Sequence, residues 1–338
     1  AQFGAVSLAS NLQTKIQKSV TGVFADIAQA PKAKIVFTVN YYVVALGIED
    51  GAILPAGWAC SDKFAEDTWT PLPSNLADTG ELLSVPGQIT AGNRLGDLAV
   101  AYKEKAIYVG TFVESSTQTI DWRQIPGGDA GCIGQDALCV MDGMHFFLGA
   151  DNFWIFDGSR PVAVGEGVRQ WFFDNSDPLY RYKTKCVYDR QKNRVIVSYP
   201  AIGANSCNRT LVYHVKSKMW GKADLDVQTW FAYVTPSLTI DGLDAYSATI
   251  DGLPDIPLGS QYWAGGGKSL AYFDTSNRLM LLNGAPASSS LTTGDTGDDA
   301  ALSMLSTVRF RYASGYFPAS ASIQCFYKMN LGSALVSG

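Results

Sequence analysis

"LCVMDGMHFFLGADNFWIFDGSRPVAV" (Leu138–Val164) sets short apolar runs between turn residues. Asp142-Gly143 separates Leu138–Met141 from Met144–Leu148, and Gly149–Asn152 separates the latter from Phe153–Phe156. Asp157-Gly158 then leads to Pro161–Val164. Asp-Gly between apolar runs marks a hairpin, because both residues tolerate the positive φ of a tight turn. The central runs do not alternate polar with apolar, so they read as strands buried on both faces, in a sheet held between two others. Four antiparallel strands in so short a span amount to one blade of a β-propeller. Phe146, Phe147, Phe153, Trp154 and Phe156 are then either a ligand site or the packing between blades.

Repetition decides between these readings. Runs of similar character pass through Ala99, Cys139, Cys186, Trp230 and Ala271, at steps of 40, 47, 44 and 41 residues. Each run leads across a polar turn to a second apolar run. The turns are Lys103–Lys105, Asp189–Asn193 and Asp274–Asn277 in "LAVAYKEKAIYVGTF", "CVYDRQKNRVIVSYP" and "LAYFDTSNRLMLLNG". A weaker unit lies at Ile35–Gly47. The fold expected is all-β, a propeller of about six blades built from four-stranded antiparallel meanders, with an incomplete unit at each end. Residues 1–29 form an N-terminal segment, 30–284 the blades, 285–300 a polar loop or insertion, and 301–338 C-terminal strands closing the propeller. Leu8, Leu12, Ile16 and Val20 recur every four residues, which fits a helix as well as a strand. "TIDGL" occurs at Thr239–Leu243 and Thr249–Leu253, an offset that suggests matching hairpin corners.

Composition bounds the function. Hydrophobic residues are 47% of the 338, enough for a large core, and charged residues only 17%, which suggests surface covered by partners. The net charge of -5 argues against a general DNA- or membrane-binding surface, since phosphate binding needs clustered Lys and Arg. A surface past which DNA must slide should be neutral or acidic. Cys60, Cys132, Cys139, Cys186, Cys207 and Cys325 include no C-x-x-C pair, and His145 and His214 are the only histidines, so a zinc site and a disulfide framework are not expected. No run reaches the roughly 18 apolar residues of a membrane helix. No basic start with an apolar h-region appears, so a secretory signal is not expected, and the sequon Asn208-Arg209-Thr210 reads as chance.

Several constellations invite chemistry and fail its requirements. Asp295, Asp298 and Asp299 lack the downstream Glu of a calcium loop, and Asp241, Asp244, Asp251 and Asp255 read as turn residues. Gly265–Ser269 resembles a phosphate loop, but Gln261 stands where its first Gly belongs and a strand follows. No G-x-S-x-G elbow accompanies His145 or His214. Ser115–Gly128 has one imperfect copy of the turn found in sialidase propellers, without the paired carboxylates of a glycosidase.

A set of ordered motifs resembles the tail nozzle, tail-tube or packaged-DNA stabilisation proteins of short-tailed phages. Pro31–Val36, Tyr41–Gly47, Trp58–Asp62 and Asp67–Pro71 follow that family's opening series. Asn93–Gly110 is similar to its "L-G-D-x-L-V-V" strand pair, and Gly131–Gly158 to its "F-F-L-[AG]-x-D-G" blade, with Asn152 at a usual Gly that a positive-φ turn would tolerate. Val187–Pro200 and Arg209–Leu225 resemble the next blade, and Val308–Pro318 a C-terminal strand. The resemblance runs from Ala30 to Pro318. It implies a structural β-propeller protein of the virion tail, made in the bacterial cytoplasm. Such a protein is a homohexamer below the portal, against the head-to-tail adaptor, near tail fibre or needle proteins. It retains packaged double-stranded DNA and conducts it at ejection without sequence-specific contacts. The resemblance implies no catalytic, cofactor-binding or metal residues, no enzyme activity, no cofactor and no membrane insertion. The alternatives are a propeller-type glycan hydrolase and a receptor-binding or scaffold propeller.

Overall fold

A computed structural model describes residues 1–115, 118–127, 129–234, 247, 249, 252, 268–282, 290–291, 324–327 and 336–337. The chain divides into two compact units, Ala1–Gly284 and Ala285–Gly338. The first is an all-β propeller of six antiparallel sheets, five with four strands and a sixth with three among the described residues.

Blade 1 holds β1 (Gln2–Phe3), β2 (Val6–Ala9), β3 (Gln17–Ser19) and β4 (Ala25–Asp26). Blade 2 holds β5 (Lys32–Val39), β6 (Tyr42–Asp50), β7 (Ala52–Cys60) and β8 (Asp78–Glu81). Blade 3 holds β9 (Ala91–Leu95), β10 (Leu98–Tyr102), β11 (Ile107–Phe112) and β12 (Ile120–Gln124). Blade 4 holds β13 (Leu138–Met141), β14 (Met144–Leu148), β15 (Phe153–Phe156) and β16 (Val162–Ala163). Blade 5 holds β17 (Lys185–Asp189), β18 (Arg194–Tyr199), β19 (Arg209–His214) and β20 (Met219–Ala223). Blade 6 holds β21 (Thr229–Val234), β22 (Lys268–Phe273) and β23 (Leu279–Leu281). Among the described residues the second unit has one strand pair, β24 (Phe326–Tyr327) with β25 (Val336–Ser337). The expected polar loop, most of the C-terminal strands and both "TIDGL" segments lie outside the described residues.

Each sheet is an up-and-down meander, and the first strands of successive sheets lie side by side: β5 by β9, β9 by β13, β13 by β17, β17 by β21. These strands therefore surround the axis. The second strands carry the core. β6, β10, β14 and β18 are buried along nearly their whole length. A strand between two neighbours in its own sheet, with another sheet on each side, has no wet face, and its sequence loses the two-residue alternation.

The aromatic cluster of blade 4 follows from this placement. Successive strand residues point to opposite faces, so Phe147 reaches Tyr102 of blade 3 at 4.8 Å while Phe146 reaches Tyr213 of blade 5 at 5.8 Å. Phe153 packs on Trp220 at 4.7 Å and on Phe172 at 4.9 Å. Phe172 belongs to the single described helix, α1 (Arg169–Asn175), between blades 4 and 5. Phe146, Phe147, Phe153 and Phe156 are fully buried. Burying each ring contributes roughly 1.5–3 kcal/mol before the entropy of ordering it is counted.

Some local expectations are corrected. The four-residue spacing of Leu8, Leu12, Ile16 and Val20 serves strands and turns, with Leu8 and Ile16 inward, Leu12 at φ 62° and Val20 exposed. Blade 1, expected to be incomplete, has four strands, all short. Trp230 and Ala271 sit on paired strands of one sheet, so the step between them is not a blade. True first strands begin at Ala91, Leu138, Lys185 and Thr229, 47, 47 and 44 residues apart. Asn152 is not in the left-handed region; its side chain instead accepts a bond from the Phe153 amide at 2.8 Å. The polar turns behave as read. Asn193 (φ 52°) and Asn277 (φ 60°) take the left-handed positions. Beside them Asp189 pairs with Arg194 at 3.0 Å and Asp274 with Arg278 at 2.7 Å.

Asp142 (φ 38°) and Gly143 (φ 82°) form the two-residue turn, while residues 157–161 make a longer loop. In that loop Gly158 has φ 99°, and a Cβ there would meet Leu95 at 3.4 Å. Gly158→Val should therefore lower the unfolding free energy by about 1–3 kcal/mol, from backbone strain at a β-branched residue. Urea unfolding measures this; an unchanged midpoint would refute the assigned turn geometry.

Candidate functional site

The residues singled out in the sequence are structural where they are described. His145 is fully buried and joins two blades. Its Nε2 lies 2.8 Å from the Arg94 carbonyl, which only accepts, so Nε2 carries the hydrogen. Nδ1 then accepts from the Tyr102 hydroxyl at 2.7 Å. Burial lowers its pKa to about 4, and the ring stays neutral. His214 is exposed at the end of β19, where Nδ1 meets the Ser217 hydroxyl at 2.9 Å. Lys268 and Ser269 begin β22, so a strand stands where a phosphate loop would need a helix. Burial raises the thiol pKa values of Cys60, Cys132, Cys139 and Cys186, and pushes that of Cys207 up to about 11, which keeps these sulfurs protonated and unreactive. Among the described residues no three His, Cys, Asp or Glu side chains are grouped to hold a metal ion. No described helix is long and apolar enough to cross a membrane.

The fold does build one large concavity that no motif announced. A cavity of about 1010 Å³ opens at the axis, lined from five blades. Lys34 comes from β5, Thr90 from the residue before β9, and Asp136 from the 3-10 turn Gln135–Ala137 before β13. Lys185 opens β17, and Gln228 precedes β21. Every one of these stands at or near the start of a first strand, where the chain crosses from one blade to the next. The mouth is polar because first strands begin at the rim, outside the apolar layer between sheets.

Its charges are partly spoken for. Lys185 pairs with Asp136 at 2.8 Å. Lys183 donates to the Asn205 carbonyl at 2.8 Å, with its ammonium 4.8 Å from the centre of the Tyr180 ring. Gln135 spans blades 3 and 4 by accepting from the Gly92 amide at 2.8 Å and donating to the Gly92 carbonyl at 3.1 Å. Lys34 is exposed and has no ion pair among the described residues, and partial desolvation lowers its pKa.

A second, smaller concavity of about 450 Å³ lies along the link from blade 2 to blade 3. At its base Lys103 is 1% exposed with no carboxylate beside it. The ammonium donates to the carbonyls of Leu82 and Val85, each at 2.6 Å, and lies 5.8 Å from the centre of the Tyr108 ring. It clamps the linking loop. At the far end of β5 from the mouth, exposed Tyr41 and Phe64 stack at 4.3 Å beside the Lys63–Glu114 ion pair. Phe64 holds a φ of 60°, a strained setting for an aromatic residue.

No protein-family profile and no curated protein matches the chain. Similar solved structures include Hsv2 of Kluyvelomyces marxianus, at 10% identity and a TM-score of 0.37, over 68% of this chain and 64% of that one. An exported protein of Bacteroides fragilis NCTC 9343 shares 11% identity at a TM-score of 0.36, over 80% and 88%. The AfRom2 CNH domain shares 8% at 0.34, over 69% and 88%.

Two predictions follow from the buried polar groups. His145 is neutral in the fold but protonates at its ordinary value of about 6.5 when unfolded. Its contribution is complete above pH 6.5 and lost as pH falls to about 4, a decline of about 3 kcal/mol. His145→Gln should flatten that part of the stability–pH curve; an identical slope in wild type and variant would refute the buried neutral ring. Lys103→Met strands two buried carbonyl oxygens and should lower the unfolding free energy by about 2–4 kcal/mol. A shift under about 0.5 kcal/mol would show that the clamp is not needed.

Proposed function

We propose that the chain is a structural, non-enzymatic propeller of a short-tailed phage tail, working in a ring of copies that holds packaged DNA and conducts it at ejection. The observation that carries this reading is the order of its motifs, together with where they fall. The "L-G-D" series lies on the β9–β10 hairpin, the "F-F-L" series on β14–β15, and the two following series on β17–β18 and β19–β20. The series thus fall on strand pairs of blades 3, 4 and 5 in chain order, the last two sharing blade 5.

The physical properties support it. The net charge of -5 suits a surface past which DNA slides. Apolar side chains stand exposed on hairpins and outer strands, among them Val23 (79%), Ile53 (70%), Met219 (67%) and the Tyr41–Phe64 pair. Such surfaces are what neighbouring subunits cover. The propeller's own axial mouth, about 1010 Å³, has the size of a small-molecule site and not of a channel for a duplex. In this reading DNA passes between copies, along the axis of the assembly.

Light scattering on the purified chain with its adaptor partner, followed by imaging, tests the proposal. The expected result is a ring of about six copies on the adaptor. A chain that stays monomeric beside that partner overturns it, as does turnover of glycoside substrates.

A further inference from the structure

We propose that the axial mouth of the propeller binds a short acidic saccharide, a sugar chain bearing a carboxylate of the uronic-acid kind. This goes beyond the tail reading and does not depend on it.

The groups left free at the mouth point to that chemistry. With Lys185 on Asp136, Lys183 on a carbonyl and Gln135 on Gly92, the polar side chains without a partner among the described residues include Lys34, Gln88, Gln228 and Glu104. Lys34 is an exposed cation on this lining and lacks a counter-ion among the described residues. A ligand carboxylate would supply one, in a charge-assisted hydrogen bond.

The described lining carries three ammonium groups (Lys34, Lys183, Lys185) and two carboxylates (Glu104, Asp136), a net charge of +1 that matches one negative charge. A phosphate dianion calls for several converging cations or backbone N–H groups, and Glu104 and Asp136 on the same lining oppose a second negative charge. The carboxamides of Gln88 and Gln228 each offer donors and an acceptor, which suits sugar hydroxyls that do both. Tyr182, 58% exposed, contributes a ring face at the rim for the apolar side of a sugar. The volume of about 1010 Å³ lies at the upper end of the roughly 300–1,000 Å³ of small-molecule sites.

The described carboxylates of this lining do not form a cleaving pair. A glycosidase needs a carboxyl kept protonated by an apolar setting. Glu104 and Asp136 are both exposed, and Asp136 is committed to Lys185.

Calorimetric titration of the full chain with cellobiouronate (one glucuronate on one neutral glucose), neutral cellobiose and inorganic phosphate tests this. Cellobiouronate should bind at one site per chain, and neither of the other two should displace it. Lys34→Ala and Gln228→Ala should each weaken it by at least about tenfold, while Lys63→Ala, at the far end of β5, leaves it unchanged. Circular dichroism and thermal unfolding verify that each variant is folded, and Lys34→Gln replaces Lys34→Ala if the latter is not. Failure of cellobiouronate to bind the wild type, equal binding by the folded Lys34 variant, or displacement by phosphate would each overturn the proposal.

Discussion

Everything in this fold depends on strands that have no solvent side. A second strand such as β14 hydrogen-bonds on both edges to its own sheet and packs on both faces against the sheets beside it. Phe146 and Phe147 are adjacent in sequence and serve opposite neighbours, blade 5 and blade 3. A single blade cannot bury such a strand. Stacking the next blade removes the exposed face, and the need passes on around the axis. The main core cluster accordingly runs through blades 3, 4 and 5 without a break, from Ala91 to Tyr213.

The same constraint sorts the polar chemistry. Side chains between sheets are apolar or mostly paired; among the described residues the buried exceptions are Trp122 Nε1 and Thr184 Oγ1. His145 uses both ring nitrogens, and Lys103 meets two carbonyls and a ring. Free polar groups are pushed to strand ends, where the chain turns or changes blade. At the axial rim several such ends converge, so a polar cavity arises from residues far apart in sequence. Lys34 and Gln228 have no local relation to one another; the ring brings them to one mouth.

Much of the fold was legible because its signals are local. Asp142-Gly143 marked its hairpin, the unbroken apolar run Met144–Leu148 marked a doubly buried strand, and the Asn-bearing turns marked themselves through residues that tolerate positive φ. Register around the axis was less legible. Trp230 and Ala271 look like equivalent strand starts, yet they pair within one sheet, because first and second strands of a blade share the same composition. The N-terminal strands were ambiguous for a related reason: short strands separated by turns placed inward residues at a helix-like interval, as Leu8 and Ile16 show. The axial mouth was not legible at all. Its lining comes from ordinary Lys, Gln, Asp and Thr residues with no shared motif, and only the closed order of blades relates them. The resemblance to tail proteins reads function from motif order, which lies on blades, whereas the mouth lies between them.

The central claim is that contacts across blades hold the fold together. A double-mutant cycle on Phe146 of β14 and Tyr213 of β19 tests it most directly, using Phe146→Leu, Tyr213→Leu and the pair in urea unfolding. Rings stacked 5.8 Å apart across the blade boundary should give a coupling of about 0.5–1.5 kcal/mol. Additive effects, with no coupling beyond error, would contradict the account.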